Sequence, residues 1–237
     1  MTEYLAAASI VFIAGFIQGL AGFGAALIAV PLLSLVLDIK TVIPLVAMLG
    51  LVLLTIMFVK LRDHVDYRKA AMLAAGSVPG LPFGIYALKN FDEAAIRLAL
   101  AVVLVAYSLF SLLVKEPRIG MSEKFGVVFG FVSGVLGGAI TTNGPPVIIY
   151  AALQGWEGNR FKATLTGFFL INGVLIVIAH AAGGVTTHAT LEWFARLAPF
   201  MAAGTLAGSR FYDALDQETF RKTVYVLILL MGAVAAM

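Results

Sequence analysis

The sequence contains no cysteine, and only 12% of its residues are charged. The first absence excludes disulfides, thiolate metal sites and thiol–disulfide relays. The second excludes a water-soluble fold, which carries about 25% charged residues; here 61% of 237 residues are hydrophobic and the mean hydropathy is +1.01. Histidine is scarce too. His64, His180 and His188 are scattered without metal-ligand spacing, so neither metal nor cofactor is expected. Paired carboxylates, a serine–histidine–acid order and a phosphate-binding Gly-Lys loop are missing from plausible positions, which argues against an enzyme. The net charge of +3 sits in short loops rather than in a patch or stripe, which argues against nucleic acid. A helical protein that crosses the lipid bilayer several times remains.

No Asp, Glu, Lys or Arg falls at the centre of any apolar stretch; Asp38 and Arg210 come nearest, close to segment ends. A carboxylate proton relay and a cation site built on acidic side chains are therefore both disfavoured. At about 20 residues per spanning helix, the chain divides into about ten apolar segments. They are roughly 4–20, 22–37, 42–60, 69–88, 94–114, 122–140, 145–155, 162–182, 191–209 and 218–236. The stretch 145–155 is too short to span. It and its partner 122–140, like 4–20 and 22–37, are expected to form hairpins or broken helices.

If the chain reverses at each boundary, twelve of the sixteen Lys and Arg residues fall on one side and only Lys40, Lys89, Arg97 and Arg196 on the other. By the positive-inside rule the richer side is cytoplasmic, and both termini are then outside.

The break in the second half is explicit. An apolar helix loosens at Gly137-Gly138, stops at Thr141-Thr142-Asn143-Gly144 and restarts with Pro145-Pro146. Irregular backbone inside a bilayer is tolerated only where protein covers it or a cavity adjoins it. The break has an earlier counterpart, because Gly15, Phe16, Gly19, Gly22 and Pro31 recur at one constant offset as Gly130, Phe131, Gly134, Gly137 and Pro146. At a second offset Gly80, Gly84, Phe91-Asp92 and Arg97 match Gly204, Gly208, Leu215-Asp216 and Arg221. The sequence thus predicts an all-α membrane protein of two inverted repeats, 1–114 and 122–237, joined by a basic linker at 115–121. Its broken or re-entrant helices meet near mid-membrane, in about eight to ten membrane segments.

A helix that begins within the membrane turns its unpaired N–H groups and positive dipole end toward whatever fills the break, which makes an anion site without a charged side chain. Thr141, Thr142 and Asn143 would add hydroxyl and amide donors, beside Gly144 and Pro145 at the helix start. In the first half Gln18, Gly19, Gly22, Phe23 and Gly24 occupy the matching stretch, with Gln18 aligned to Ser133. Gly15-x-x-x-Gly19 and Gly130-x-x-x-Gly134 are equally small-residue contact motifs, and for Gly80, Gly84, Gly204 and Gly208 packing is the favoured role. Asn172, near the middle of its segment, needs a partner, either a neighbouring helix or the substrate. A packing role is favoured for His180 over coupling to a proton.

With these residues the chain resembles the sulfite exporter TauE/SafE family of membrane transporters. The duplicated glycine-rich helix ending in proline carries the likeness, as GFIQGLAGFGAALIAVPLL and GFVSGVLGGAITTNGPPVIIY, together with the Arg160 to Thr164 start of a later segment. The resemblance implies a small transporter, usually bacterial, that moves sulfur-containing or related organic anions across the cytoplasmic membrane. It also implies that Gly19, Gly22, Gly24, Gly134, Gly137, Gly138 and Gly144 to Pro146 shape the substrate site. The sequence departs from the family pattern at Ala25-Ala26 and at Ile140-Thr141-Thr142. The expectation is a secondary transporter of a small anion, sulfite-, sulfonate- or thiosulfate-like. A non-transporting membrane scaffold and a passive anion channel are the alternatives, and the coupling ion, a proton or another, and a homo-oligomer stay open.

Overall fold

The computed structural model describes residues 2–114, 120–156, 158–211 and 217–236, and within 217–221 only the Phe220 side chain. The linker residues 115–119, Leu215-Asp216 and the Arg221 side chain, which entered the repeat and charge arguments, lie outside the described residues. Among the described residues all regular structure is helical: α1 Thr2–Ala21, α2 Ala25–Leu33, α3 Ile39–Leu61, α4 Tyr67–Ser77, α5 Leu81–Asn90, α6 Glu93–Leu113, α7 Phe125–Ile140, α8 Gly144–Leu153, α9 Gly158–Ala182, α10 His188–Arg210 and α11 Gln217–Ala235. Among the described residues five helical stretches are long and apolar enough to cross a bilayer, namely α1, α3 with the turn after it, α4–α5, α6 and α9. Large apolar side chains such as Leu5, Phe83, Leu98, Leu113 and Ile178 are exposed along them, as faces that meet acyl chains must be.

The predicted segment 69–88 is not one helix. Val78–Gly80 tightens to a 3-10 turn between α4 and α5, where Pro79 and Pro82 each remove a backbone donor. Asp38, Asp66 and Asp92 start α3, α4 and α6 by accepting the N–H three residues on, the usual N-cap chemistry.

Loop contacts sort the ends of the helices. Lys60 Nζ reaches Ser209 Oγ at 3.0 Å, Arg160 pairs with Asp66 at 3.2 Å, and Lys69 lies over the Trp156 ring at 4.7 Å. These residues come from loops that the alternation of segments assigned to the basic side. At the opposite end Arg97 donates to the Ser34 carbonyl at 2.9 Å. With the ends fixed, the paired segments resolve as hairpins and not as single interrupted spans. α1 runs toward the Ser209 end, and α2 brings the chain back to Ser34. α7 leaves the basic end, and α8 returns to it, with Tyr150 Oη donating to the Glu123 carbonyl and Gln154 Nε2 to that of Met121. One hairpin returns to each end.

Glycines set the helix contacts. Along α1 and α10, a Cβ on Gly15 would lie 2.8 Å from the Met201 carbonyl and one on Gly19 2.6 Å from that of Thr205; Gly204 and Gly208 meet the Phe12 and Phe16 carbonyls in return. Along α7 and α4–α5, Gly130 and Gly134 meet the Leu73 and Ser77 carbonyls, while Gly80 and Gly84 meet those of Phe131 and Val135. Packing is thus the observed role of Gly80, Gly84, Gly204 and Gly208. The two seams are alike but not congruent. The sequence offsets carry Gly134 and Ser77 onto Gly19 and Met201, yet Gly19 meets Thr205, one helical turn further along.

Candidate functional site

Both hairpin tips open onto one cavity of about 90 Å³. Gln18, Phe23 and Gly24 line it from the first tip and Thr141, Thr142, Asn143 and Gly144 from the second. The middle of α3 (Val46, Ala47, Gly50, Leu53, Leu54), α9 (Phe169, Gly173, Ile176) and Met201 of α10 close the sides. None of these lining residues carries a charge. The space suits several waters or one compact polar solute.

The tips differ in what they offer. In α2 the first turn has four N–H groups without a helical acceptor, Gly24 to Leu27. The Ala25 N–H is taken by Gln18 Oε1 at 2.8 Å, so Gln18 caps α2, and the amides of Gly24, Ala26 and Leu27 remain. In α8 the corresponding turn contains Pro145 and Pro146, which have no N–H, and only Asn143 and Gly144 can donate. Nor does Asn143 cap its helix through its side chain, which makes no such bond; it lines the cavity instead. Thr141 and Thr142, expected as hydroxyl donors to a ligand, spend their protons on carbonyls, of Ile43 at 3.0 Å and of Ile140 at 3.1 Å.

The Thr142 bond has a physical purpose. A tip joins the negative end of one helix to the positive end of the next, and the carbonyls ending α7 would repel an anion. Three of the last four are covered: Gly137 O by the Thr141 N–H at 3.1 Å, Gly138 O by His180 Nε2 at 2.8 Å and Ile140 O by Thr142. Thr141 has φ 54°, a left-handed conformation that costs a non-glycine residue about 1–2 kcal/mol, and its bond to Ile43 holds it there. At the first tip the glycines Gly22 (φ 83°) and Gly24 (φ 107°) adopt positive φ without that penalty.

The other expected site residues lie off the cavity wall. Gly19 packs on α10, Gly138 on Leu81 and Gly84 of α5, and Gly137 beside Ile176, whose Cδ1 would be 2.7 Å from a Cβ placed there. Gly22 lies under the Lys162 side chain, and Pro145 is buried in α8. Ser133 donates to the Asn143 carbonyl at 2.6 Å and so braces the tip from behind. Asn172 is fully buried and meets Ser77 Oγ through Oδ1 at 2.7 Å, while its Nδ2 has no hydrogen-bond partner among the described residues. A buried amide left unpaired costs about 1–3 kcal/mol, so Ser77→Ala is expected to lower stability by at least that order. Ser77→Ala combined with Asn172→Leu is expected to recover most of it. Thermal unfolding in detergent decides, and a double variant no better than the single would show that Asn172 has another partner.

Sequence reasoning did not include the α3 and α9 wall. One signal was present: Gly50 is the only glycine in α3, and a Cβ there meets nothing within 4 Å.

A bundle of apolar helices with two paired tips around a cavity that no charged side chain lines among the described residues is the architecture of a membrane transporter. The family model for the sulfite exporter TauE/SafE matches residues 7–235, and the chain belongs to that family. It is also similar to the probable sulfite/organosulfonate exporter TauE of Cupriavidus necator, with 25% identity over 178 residues that cover 72% of this chain and 68% of the relative. No solved structure matches.

Proposed function

We propose that the protein is a secondary transporter of a small sulfur-containing or organic anion, held between the two hairpin tips. The convergence of the α2 and α8 starts on a cavity that no charged side chain lines among the described residues carries this reading. Amides of Gly24, Ala26 and Leu27 and the Asn143 side chain supply the donors; the two dipole ends supply the field. Membership of an exporter family and the name of the Cupriavidus relative support sulfite or a sulfonate as the substrate class. The halves 1–114 and 122–237 act as inverted repeats that rock about the tips to give alternating access. The basic loops face the cytoplasm of a bacterial inner membrane.

Proteoliposomes test it by uptake of sulfite, thiosulfate, small sulfonates and small carboxylates under an anion or a proton gradient. Saturable flux of at least one is expected. Asn143→Ala, which removes one hydrogen bond to a charged ligand (about 1.5–3 kcal/mol), is expected to raise KM about 10- to 100-fold without lowering Tm. Absence of flux for every anion tried, under either gradient, would favour a scaffold; unitary currents would favour a channel.

A further inference from the structure

His180, in the last turn of α9, is the one buried side chain among the described residues that can change charge near neutral pH. Packing accounts for only half of its ring. Nε2 lies 2.8 Å from the Gly138 carbonyl, which can only accept, so Nε2 carries a proton and donates. Nδ1 is then a bare acceptor in the neutral ring. It is buried and has no hydrogen-bond partner among the described residues. A residue kept for packing alone gains nothing from such an atom, because an unpaired buried acceptor is costly.

The ring stands between a helix end and the central cavity. Gly138 belongs to the last turn of α7, and the negative end of a helix dipole favours a cation. Ile176, one turn before His180 and so about 6 Å away along the α9 axis, lines the cavity, and the second tip begins at Thr141, three residues after Gly138. Against both stands the cost of a cation held away from water without a counter-charge. The elements packed against α9 supply none. α7 has no titratable side chain, and α8 has only Tyr150, whose hydroxyl is held by the Glu123 carbonyl. α3 carries Lys40 and Lys60, α4 carries Tyr67, Arg68 and Lys69, and α5 carries the exposed Tyr86 and Lys89. In the turn after α3, Arg62, Asp63 and His64 are exposed, and Asp66 pairs with Arg160 at the far end of α9. Asp38, which caps α3, is exposed, and Glu192 pairs at the surface with His188 and Arg196. An imidazolium at His180 therefore finds its counter-charge in an anion at the tips.

We propose that Nδ1 of His180 is a proton-binding site linked to the anion site. A bound anion draws a proton onto the ring, and the charged ring holds the anion more tightly. The proposal rests on the transporter reading and deepens it, naming the proton as second ligand and His180 as its seat. No bond in the protein breaks. Nδ1 takes a proton from water, Nε2–H stays on the Gly138 carbonyl, and the ring gains one positive charge that balances the negative charge of the anion. Linkage makes the two effects equal in size.

Nitrogen-15 magnetic resonance of the ring tests it on the full chain in proteoliposomes. His64→Gln and His188→Gln, both at exposed positions, leave His180 as the only histidine. The ratio of charged to neutral ring is followed between about pH 5 and 8, without added anion and with sulfite, thiosulfate, methanesulfonate or acetate. At least one of the four is expected to raise that ratio about tenfold or more at a fixed pH. A ratio that none of them changes, or a ring that keeps one charge state throughout, would overturn the proposal. This readout needs neither transport nor a change at His180. A second one uses His180→Gln, which keeps a donor for the Gly138 carbonyl and removes the atom that titrates. For the anion that raised the ratio, the KM of the parent is expected to improve about tenfold relative to that of His180→Gln as the pH falls across the same range. A purely structural role would change KM alike at every pH, and that result too would sink the inference. Flux that persists without either effect leaves the central site standing. Lack of any flux in the parent would sink the transporter reading instead.

Discussion

A Gly50→Leu protein is expected to fold, insert and carry no anion. Gly50 lines the central cavity from the middle of α3, and a Cβ built on it meets nothing within 4 Å. A side chain there therefore grows into the cavity and not into a neighbouring helix. Two effects separate. Replacing a glycine inside a helix relieves a penalty of about 0.5–1 kcal/mol, so Tm should hold or rise. Extra methylenes forced into occupied space cost about 1–3 kcal/mol or more, and the leucine branch takes the space that a bound solute needs. A loss of transport of about 100-fold or more follows at about 1.4 kcal/mol per decade, with Gly50→Ala between it and the parent. Flux within twofold of the parent in Gly50→Leu would mean that the anion does not occupy this cavity.

That expectation could not have been written from the sequence, although Gly50 was visible in it. The breaks were legible because they are made by residues that act on the backbone. Gly22, Gly24, Pro145 and Pro146 cluster at two points, and the cavity lies at the two interruptions that they mark; single prolines such as Pro31, Pro44 and Pro199 stay inside helices. Pairing was not legible. Whether α1 and α2, or α7 and α8, continue in line or fold back depends on contacts such as Arg97 to Ser34 and Tyr150 to Glu123, between residues distant in sequence.

Donors were harder still. Threonine hydroxyls beside a break look like ligands until the carbonyls of Ile43 and Ile140 are found to hold their protons. The prolines that announce the α8 start also strip it of N–H groups. The second tip, more conspicuous as a motif, is thus the poorer in backbone donors, and the plainer Gly24 to Leu27 turn is the richer. Gln18 illustrates the same limit, since its role as a cap on Ala25 is tertiary. The amide side chain of Asn143 is left facing the cavity because the local cap that its residue type suggests is not made.

The glycine seams lead to the other large effect. Gly134→Leu and Gly208→Leu are each expected to prevent assembly, in contrast to Gly50→Leu. A Cβ at Gly134 would overlap the Ser77 carbonyl, and one at Gly208 the Phe16 carbonyl. The obstacle is main chain, which cannot turn aside as a side-chain rotamer can, so relief requires the two helices to part along their length. Parting α7 from α4–α5 also breaks the approaches of Gly76, Gly80, Gly84, Gly130 and Gly138. Parting α1 from α10 breaks those of Gly15, Gly19 and Gly204. Overpacking by one methylene costs about 1–3 kcal/mol where neighbours can adjust; here they cannot, and alanine at either position is expected to lower Tm by several degrees. If the halves are repeats, the two alanine variants should be destabilised to a similar extent, since each wedges one half's hairpin helix from the other half. A Gly134→Ala protein as stable as the parent would mean that this seam yields at little cost, and that its glycines serve something other than close approach.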